Sequence, residues 1–144
     1  MWILKRLVEM GVSRDDLLLT FQSRIRTHVE QNVPLWHFAI SKKLATLIEK
    51  VQKICVFIIL GKHATPNYSR NLSILDLEPL DERRLKLCKN FAKKTLKHPV
   101  HKEMFTLSKR IGTRSKIKVV IPNAKTKRYD SSSIPGLSRI INTM

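Results

Sequence analysis

The stretch Lys42–Leu60, KKLATLIEKVQKICVFIIL, decides the fold class of this chain. Most of its apolar side chains recur every three or four residues, within an arc of about 140° on a helical wheel. Ser41 precedes the stretch as a helix-capping residue and Gly61 follows it as a helix-ending residue. The pattern predicts one long amphipathic helix. Its last turn, residues 56–60, is apolar on every side, so we expect it to be covered on more than one face.

Three further main helices are predicted outward from this one. Residues 2–10 form an amphipathic segment that ends at a glycine, with Trp2, Ile3 and Leu7 on one face. Residues 14–31 follow Ser13, which is a favourable cap for the start of a helix. Residues 80–98 begin after a proline of the kind that occupies a first helical turn.

The pattern weakens beyond residue 99. Residues 116–121 read as a short strand, and the apolar residues near the C-terminus suggest one short last helix. We therefore predict an all-α fold, a small helical bundle of about four main helices with a basic, partly extended C-terminal tail. The helical domain would span residues 1–107. The tail, residues 108–144, would hold the short strand and the short terminal helix, and would be loosely held or disordered alone.

Positive charge is concentrated in the C-terminal part of the chain. The 144 residues include 28 lysines and arginines and 11 acids, which gives a net charge of +17. Residues 83–144 carry 17 of the basic side chains and only two acids, Glu103 and Asp130. Such a density repels itself unless a polyanion lies nearby, and nucleic acid is the most common polyanion partner.

The fourth predicted helix collects this charge on one face. Six basic side chains lie within an arc of about 140° on its wheel: Arg83, Lys86, Lys89, Lys93, Lys94 and Lys97. The basic residues of the tail would extend that surface: Lys109, Arg110, Arg114, Lys116 and Lys118. Lysine-rich surfaces contact phosphates rather than base edges, so we predict nucleic-acid binding through phosphates. The alternative is an ordinary solvated helix face that keeps the protein in solution.

Sequence signals for catalysis, metals and cofactors are missing. The adjacent acids at residues 15–16 and 81–82 fall in first helical turns, where carboxylates stabilise the helix dipole. His98 and His101 are three residues apart, but the proline between them spoils a helical pair of metal ligands. No glycine-rich phosphate loop or nucleophile elbow occurs. We expect a protein that is not an enzyme and that holds no metal or cofactor.

The cysteines and the apolar runs bear on the compartment. Cys55 and Cys88 are 33 residues apart among apolar helical residues, and we interpret them as buried thiols. The longest apolar run has seven residues, whereas a membrane span needs about 20. With no secretory signal at the start, an intracellular protein without membrane association is expected. Nucleus and cytoplasm are not distinguished.

Two side chains are unusual for their positions. Arg84 falls on the apolar side of its helix, where a guanidinium needs a partner. Asp76, Glu49 or a helix C-terminus could serve, or Arg84 could lie at the edge of the core. Trp36 could stack on a base, but such a tryptophan more often closes the end of a core.

An ordered set of short runs carries a resemblance. The runs are residues 11–18 (GVSRDDLL), 25–30 (IRTHVE), 34–37 (PLWH), 49–53 (EKVQK), 58–61 (IILG), 82–84 (ERR), 87–88 (LC), 91–94 (FAKK), 122–129 (PNAKTKRY) and 133–142 (SIPGLSRIIN). Together they resemble the C-terminal region of reverse transcriptases from non-long-terminal-repeat retrotransposons of animals. The pattern departs at Gln31 and Asn32, where the family has a tyrosine and a small residue, and at Gly136, where an aromatic is usual.

The resemblance implies a thumb-like region that follows the polymerase palm and holds the template–product duplex. The expected partner is thus an RNA–DNA or DNA duplex, bound non-specifically through its phosphates. The Tyr-x-Asp-Asp hairpin, the upstream aspartate and the endonuclease domain of that family are absent from this sequence. The resemblance therefore implies a non-catalytic fragment of an RNA-directed DNA polymerase, with the missing upstream polymerase domain as a further partner. Two alternatives stay open: a decayed transposon reading frame with no present function, and a helical scaffold that binds an acidic protein.

Overall fold

The structure is a computed structural model that describes residues 2–108 and 119–144, and these residues adopt an all-α fold. The predicted fold class is thus confirmed. The helices are α1 (Trp2–Glu9), α2 (Arg14–Thr20), α3 (Thr27–Glu30), α4 (Val33–Trp36), α5 (Lys42–Leu60), α6 (Tyr68–Ile74), α7 (Leu80–Lys97), α8 (Lys127–Asp130) and α9 (Ser133–Thr143). A π-helical segment, Phe21–Arg26, joins α2 to α3, so these elements form the single helix that the sequence predicts over 14–31.

Local capping accounts for the helix boundaries. The Ser13 hydroxyl accepts a hydrogen bond from the Asp16 amide at 3.2 Å and donates one to the Asp16 carboxylate at 2.7 Å. Ser41 accepts a hydrogen bond from the Leu44 amide at 3.3 Å at the start of α5. Gly61 ends α5 with a φ of 52°, a conformation that glycine adopts without steric cost. These short-range hydrogen bonds explain why sequence alone locates α2 and α5 so closely.

The inward face of α1 differs from the prediction. Leu4 is fully buried and Leu7 is partly buried, whereas Trp2 is 72% exposed and Ile3 is also exposed. Leu4 and Leu7 lie three residues apart and therefore share a helix face. Their burial turns Trp2 and Ile3 outward, so the predicted face of Trp2, Ile3 and Leu7 is wrong for two of its three members.

The described chain divides into two compact units. The first unit comprises Met1–Gln31 and Ser41–Arg83, and the second comprises Asn32–Ile40 and Arg84–Met144. The first core contains Leu4, Leu17, Phe21, Cys55, Val56, Ile59, Leu60, Leu72, Leu75 and Leu77. The second core contains Val33, Cys88, Ala92, Phe105, Val119, Leu137, Ile140 and Ile141. Val33 of α4 lies in the second core, and Trp36 is partly buried against it.

The C-terminal segment from residue 119 onward packs into the second unit. Leu137, Ile140 and Ile141 of α9 are buried. The Asn142 side chain accepts a hydrogen bond from the Val119 amide at 3.0 Å and donates one to its carbonyl at 2.9 Å. The order of the tail on its own stays a prediction from sequence. Residues 116–118 of the predicted strand lie outside the described residues, and Val119 forms a single antiparallel bridge with Leu107.

Gly136 and Asn32 occupy positions where packing or backbone conformation restricts the residue type. A Cβ atom at Gly136 would overlap the ring of Phe38, so the space for a side chain is already filled by an aromatic from elsewhere in the chain. Asn32 adopts a left-handed conformation with a φ of 55° at the start of α4. Asparagine tolerates that conformation better than most residues.

Candidate nucleic-acid interface

Five lysines of α7 form an exposed face, here called the lysine face: Lys86, Lys89, Lys93, Lys94 and Lys97. Residues 85–97 contain no acid, so no carboxylate within this stretch offsets their charge. Helical spacing at 3.6 residues per turn places all five within an arc of about 140°. The arrangement is a row of flexible ammonium groups, which suits contact with successive phosphates along a backbone.

Burial of the opposite side of α7 determines the orientation of this face. Cys88, Ala92 and Thr95 are buried, with Leu87 and Leu96 partly buried beside them. Cys88 and Ala92 belong to the second core, and the small size of these side chains allows close packing of the helix. The lysine face therefore points to solvent because the second unit holds the other side of the helix.

Two details of the buried side of α7 differ from the sequence prediction. Leu85 and Phe91, which we expected on the apolar side, are 38% and 39% exposed. Thr95 is buried instead, and its hydroxyl donates a hydrogen bond to the Phe91 carbonyl at 2.9 Å. This bond back to the helix satisfies the hydroxyl, so threonine can occupy an apolar position.

Positive charge at the C-terminal end of α7 stabilises the helix itself. Lys94 and Lys97 lie in the last turn, where cations interact favourably with the helix dipole. The His98 and His101 rings stack just beyond it, with centroids 4.2 Å apart. Part of the lysine content is therefore explained by helix stability, whereas Lys86 and Lys89 lie too far from the end for this effect.

Arg83 has a different environment from the lysine face. Its guanidinium is hydrogen-bonded and ion-paired with the Glu30 carboxylate, and both side chains are largely buried. Arg26 lies 3.9 Å from the same carboxylate. Burial lowers the pKa of Arg26, and the nearby charge of Arg83 lowers it further. The structure thus engages Arg83 within the first unit rather than presenting it with the lysines.

The five candidate residues of the tail lie outside the described residues. These are Lys109, Arg110, Arg114, Lys116 and Lys118. Their assignment to the phosphate-binding surface remains a prediction from sequence.

Arg84 is buried, with only 3% of its surface exposed, and does not lie at the edge of the core. Its guanidinium carbon lies 6.0 Å from the centre of the Trp36 ring, within the range of a cation–π interaction. Its Nε and Nη1 atoms have no hydrogen-bond partner among the described residues. The Glu49 carboxylate, one of the partners considered from sequence, instead accepts hydrogen bonds from the Tyr68 hydroxyl and the Leu80 amide.

The surroundings of Arg84 contain the other groups that sequence singled out. Trp36 is half-buried against the second core, as expected for a tryptophan that closes a core. Burial lowers the pKa of His37, and the charge of Arg84 lowers it further. Burial also raises the pKa of the Cys88 thiol to about 11. These shifts favour a neutral imidazole at His37 and a protonated thiol at Cys88.

The adjacent acids and the two cysteines lie where the helices and cores account for them. Asp15 and Asp16 lie in the first turn of α2, and Asp81 and Glu82 lie in the first turn of α7. Both cysteines are buried and have free thiols.

Within residues 2–108 and 119–144, no group of three or more metal-ligating side chains is assembled. No helix of the described chain combines the length and apolar character needed to cross a bilayer.

No protein-family model matches this chain, and neither a curated protein nor a solved structure matches it significantly.

Proposed function

We propose that this chain binds the backbone of an RNA–DNA or DNA duplex non-specifically through the lysine face of α7. The observation that carries the proposal is the exposure of five lysines on one side of a helix whose opposite side is buried. Each ammonium that neutralises a phosphate releases a counterion, which favours binding without reading the base sequence. The tail lysines and arginines would extend the contact.

The distribution of acids supports an external partner. Residues 84–144 include 16 basic side chains and two acids, Glu103 and Asp130. Asp130 already forms an ion pair with Arg139. The second unit therefore has too few carboxylates to neutralise its own cations. A polyanion would supply the missing charge.

The resemblance to the thumb region of non-long-terminal-repeat reverse transcriptases suggests the context for this activity. Under this proposal the chain is a non-catalytic part of such a polymerase and holds the duplex beside the active site of an upstream domain. Arg83 would then have a structural role, because its guanidinium pairs with Glu30. The phosphate contacts would rest on the lysine face.

A charge-reversal experiment with a matched control tests the proposal. The test variant combines Lys89→Glu, Lys93→Glu and Lys97→Glu. The control combines Lys42→Glu, Lys43→Glu and Lys50→Glu, three exposed lysines of α5. Both variants change the net charge equally, so a difference between them reports the place of binding rather than the total charge. Affinity for a labelled RNA–DNA duplex is measured by fluorescence anisotropy at low and moderate salt.

We expect the α7 variant to lower duplex affinity by roughly 100-fold and the α5 variant by less than about tenfold, because only α7 contacts phosphates directly. Far-UV circular dichroism verifies that both variants keep their helices. Equal losses of duplex affinity in the two folded variants would mean that net charge alone explains the effect, and would overturn the proposed site. Absence of duplex binding by the folded parent chain would overturn the proposed function itself.

A further inference from the structure

The helix α5 carries a row of apolar side chains that the first unit covers only in part. The row, here called the α5 seam, consists of Leu44, Leu47, Val51, Ile54 and Ile58. Their spacing alternates between three and four residues, which is the repeat by which one helix packs along another in a coiled coil. The neighbouring face of α5, with Cys55, Val56, Ile59 and Leu60, supplies the core of the first unit.

Exposure along the α5 seam is high for residues of this type. Leu44 is 53% exposed, and Leu47 and Ile54 are each 45% exposed. Val51 and Ile58 are partly buried against the first core. The row therefore lies at the border between the core and solvent, with three large apolar side chains in line. A contiguous exposed apolar row of this kind is typical of a protein-interaction surface.

The charges beside the α5 seam identify the kind of partner. Lys43 and Lys50 are exposed, and they lie seven residues apart along the solvent-side edge of the row. The only acid of α5 is Glu49, whose carboxylate bonds to the Tyr68 hydroxyl at 2.6 Å and to the Leu80 amide. The edge of the row is thus positive, with no exposed carboxylate from the same helix.

These observations select among occupants. A second copy of α5 would bring the same lysines to the edge of the row, with no acid on that helix available to pair with them. A duplex presents phosphates but no row of apolar groups of side-chain size. A helix with apolar residues at the same spacing and carboxylates at the flanking positions satisfies both features.

We infer that the α5 seam is a docking site for an amphipathic helix of a partner protein, with acidic residues that pair with Lys43 and Lys50. This site is separate from the lysine face and does not depend on duplex binding. The apolar contacts would supply most of the affinity, and the two lysines would select acidic over basic helices.

A pair of synthetic peptides tests the inference on the full chain. Each peptide spans about three heptads with leucine at the a and d positions. One carries glutamate and the other carries lysine at the flanking positions. We expect the glutamate peptide to bind with micromolar affinity in fluorescence anisotropy, at least about tenfold more tightly than the lysine peptide.

Variants of the α5 seam locate the binding. Leu47→Gln together with Ile54→Gln should weaken binding of the glutamate peptide at least tenfold, because both side chains lie in the proposed contact. Leu19→Gln, at an exposed leucine of α2, should have no effect. Lys43→Glu with Lys50→Glu should reverse the preference between the two peptides. None of the apolar variants should alter duplex affinity, which keeps this test separate from that of the lysine face.

Three results would overturn the inference. Equal affinity for the two peptides would show that the lysines do not select an acidic partner. Unchanged affinity for the glutamate peptide in Leu47→Gln with Ile54→Gln would show that the peptide binds elsewhere. The third is a dimer of the chain in sedimentation equilibrium that Leu47→Gln dissociates, which would assign the α5 seam to a second copy. We expect the chain to sediment as a monomer.

Discussion

Arg83 and Arg84 are neighbours on α7, yet only Arg83 forms an ion pair with a carboxylate. Arg83 belongs to the first unit and pairs with the Glu30 carboxylate. Arg84 belongs to the second unit, where it is buried over the Trp36 ring with two nitrogens lacking a hydrogen-bond partner among the described residues. One unit balances its cation internally and the other does not.

The same contrast extends to the whole of each unit. The first unit contains nine of the 11 acids. Several of them work within the fold, since Glu30 pairs with Arg83 and the Glu49 carboxylate accepts a hydrogen bond from the Leu80 amide. The Asp16 carboxylate accepts a hydrogen bond from the hydroxyl of the capping residue Ser13. The second unit has only two acids, and the lysines that the structure describes in it are exposed. Charge in the first unit thus stabilises local structure, whereas the second unit carries many more cations than acids.

The largest expected effects concern the two cores, which should be equally well packed despite their different charges. Phe21→Ala in the first core and Phe105→Ala in the second core each remove a buried aromatic ring. Each should lower the free energy of unfolding by about 3–5 kcal/mol. Urea denaturation followed by circular dichroism measures both. A loss below about 1 kcal/mol for Phe105→Ala alone would mean that the second unit lacks a packed core.

A second prediction uses the close approach of Gly136 to Phe38 in the second unit. Gly136→Ala forces the Phe38 ring to move, and overpacking of this kind costs about 1–3 kcal/mol. The Cys88 thiol, buried in the same unit, should then react faster with a thiol reagent. Gly11→Ala is the steric control, because no atom crowds its added methyl group, although its positive φ carries a cost of its own. An unchanged Cys88 labelling rate in Gly136→Ala would contradict this packing.

The neighbouring arginines offer a third test, in which only the substitution of Arg83 should destabilise the protein. Arg83→Met should destabilise the protein by about 1–3 kcal/mol, because it removes the partner of a largely buried Glu30 carboxylate. Arg84→Met should leave stability unchanged or raise it by about 1 kcal/mol, because it replaces a buried charge with an apolar group of similar length. Thermal denaturation compares the two. Destabilisation by Arg84→Met as large as that by Arg83→Met would show that the contrast between the units is wrong.

The smallest expected effect is on the pH dependence of stability. The pKa of His37 lies below its ordinary value of 6.5 in the folded protein, because of burial and the charge of Arg84. The unfolded chain therefore binds a proton first as pH falls, so this stabilisation is present above pH 6.5 and is lost as pH falls through the folded pKa. The melting temperature should drop between pH 7.5 and pH 5.5 by roughly a few degrees, and less so in His37→Gln. The same drop in His37→Gln would assign the effect to other groups.

The parts of the fold that the sequence predicts correctly are those that interactions within one helix determine. The caps at Ser13 and Ser41 and the glycine at residue 61 act over three or four residues, so α2 and α5 begin or end where they were predicted. Exposure of the α7 lysines followed from helical periodicity alone. These features depend on hydrogen bonds and spacing within one helix.

The features that sequence missed depend on distant partners. The ion pair of Arg83 with Glu30 joins residues 53 positions apart, and nothing in either segment signals it. Phe38 fills the space above Gly136, so the division into units places residues 32–40 with the C-terminal part. The burial of Thr95 instead of Phe91 reflects which part of the α7 wheel meets the second core. Packing across the chain decides each of these.

The central claim is that the lysine face binds phosphates, and the salt dependence of duplex binding tests it most directly. The logarithm of the binding constant is measured against the logarithm of salt concentration for the parent chain and for Lys89→Gln with Lys93→Gln and Lys97→Gln. Each phosphate contact contributes about −0.9 to the slope, so the loss of three contacts predicts a slope that is less negative by about 2.7 in the variant than in the parent. An equal slope in both proteins would contradict the account, because the lysines of α7 would then make no phosphate contacts.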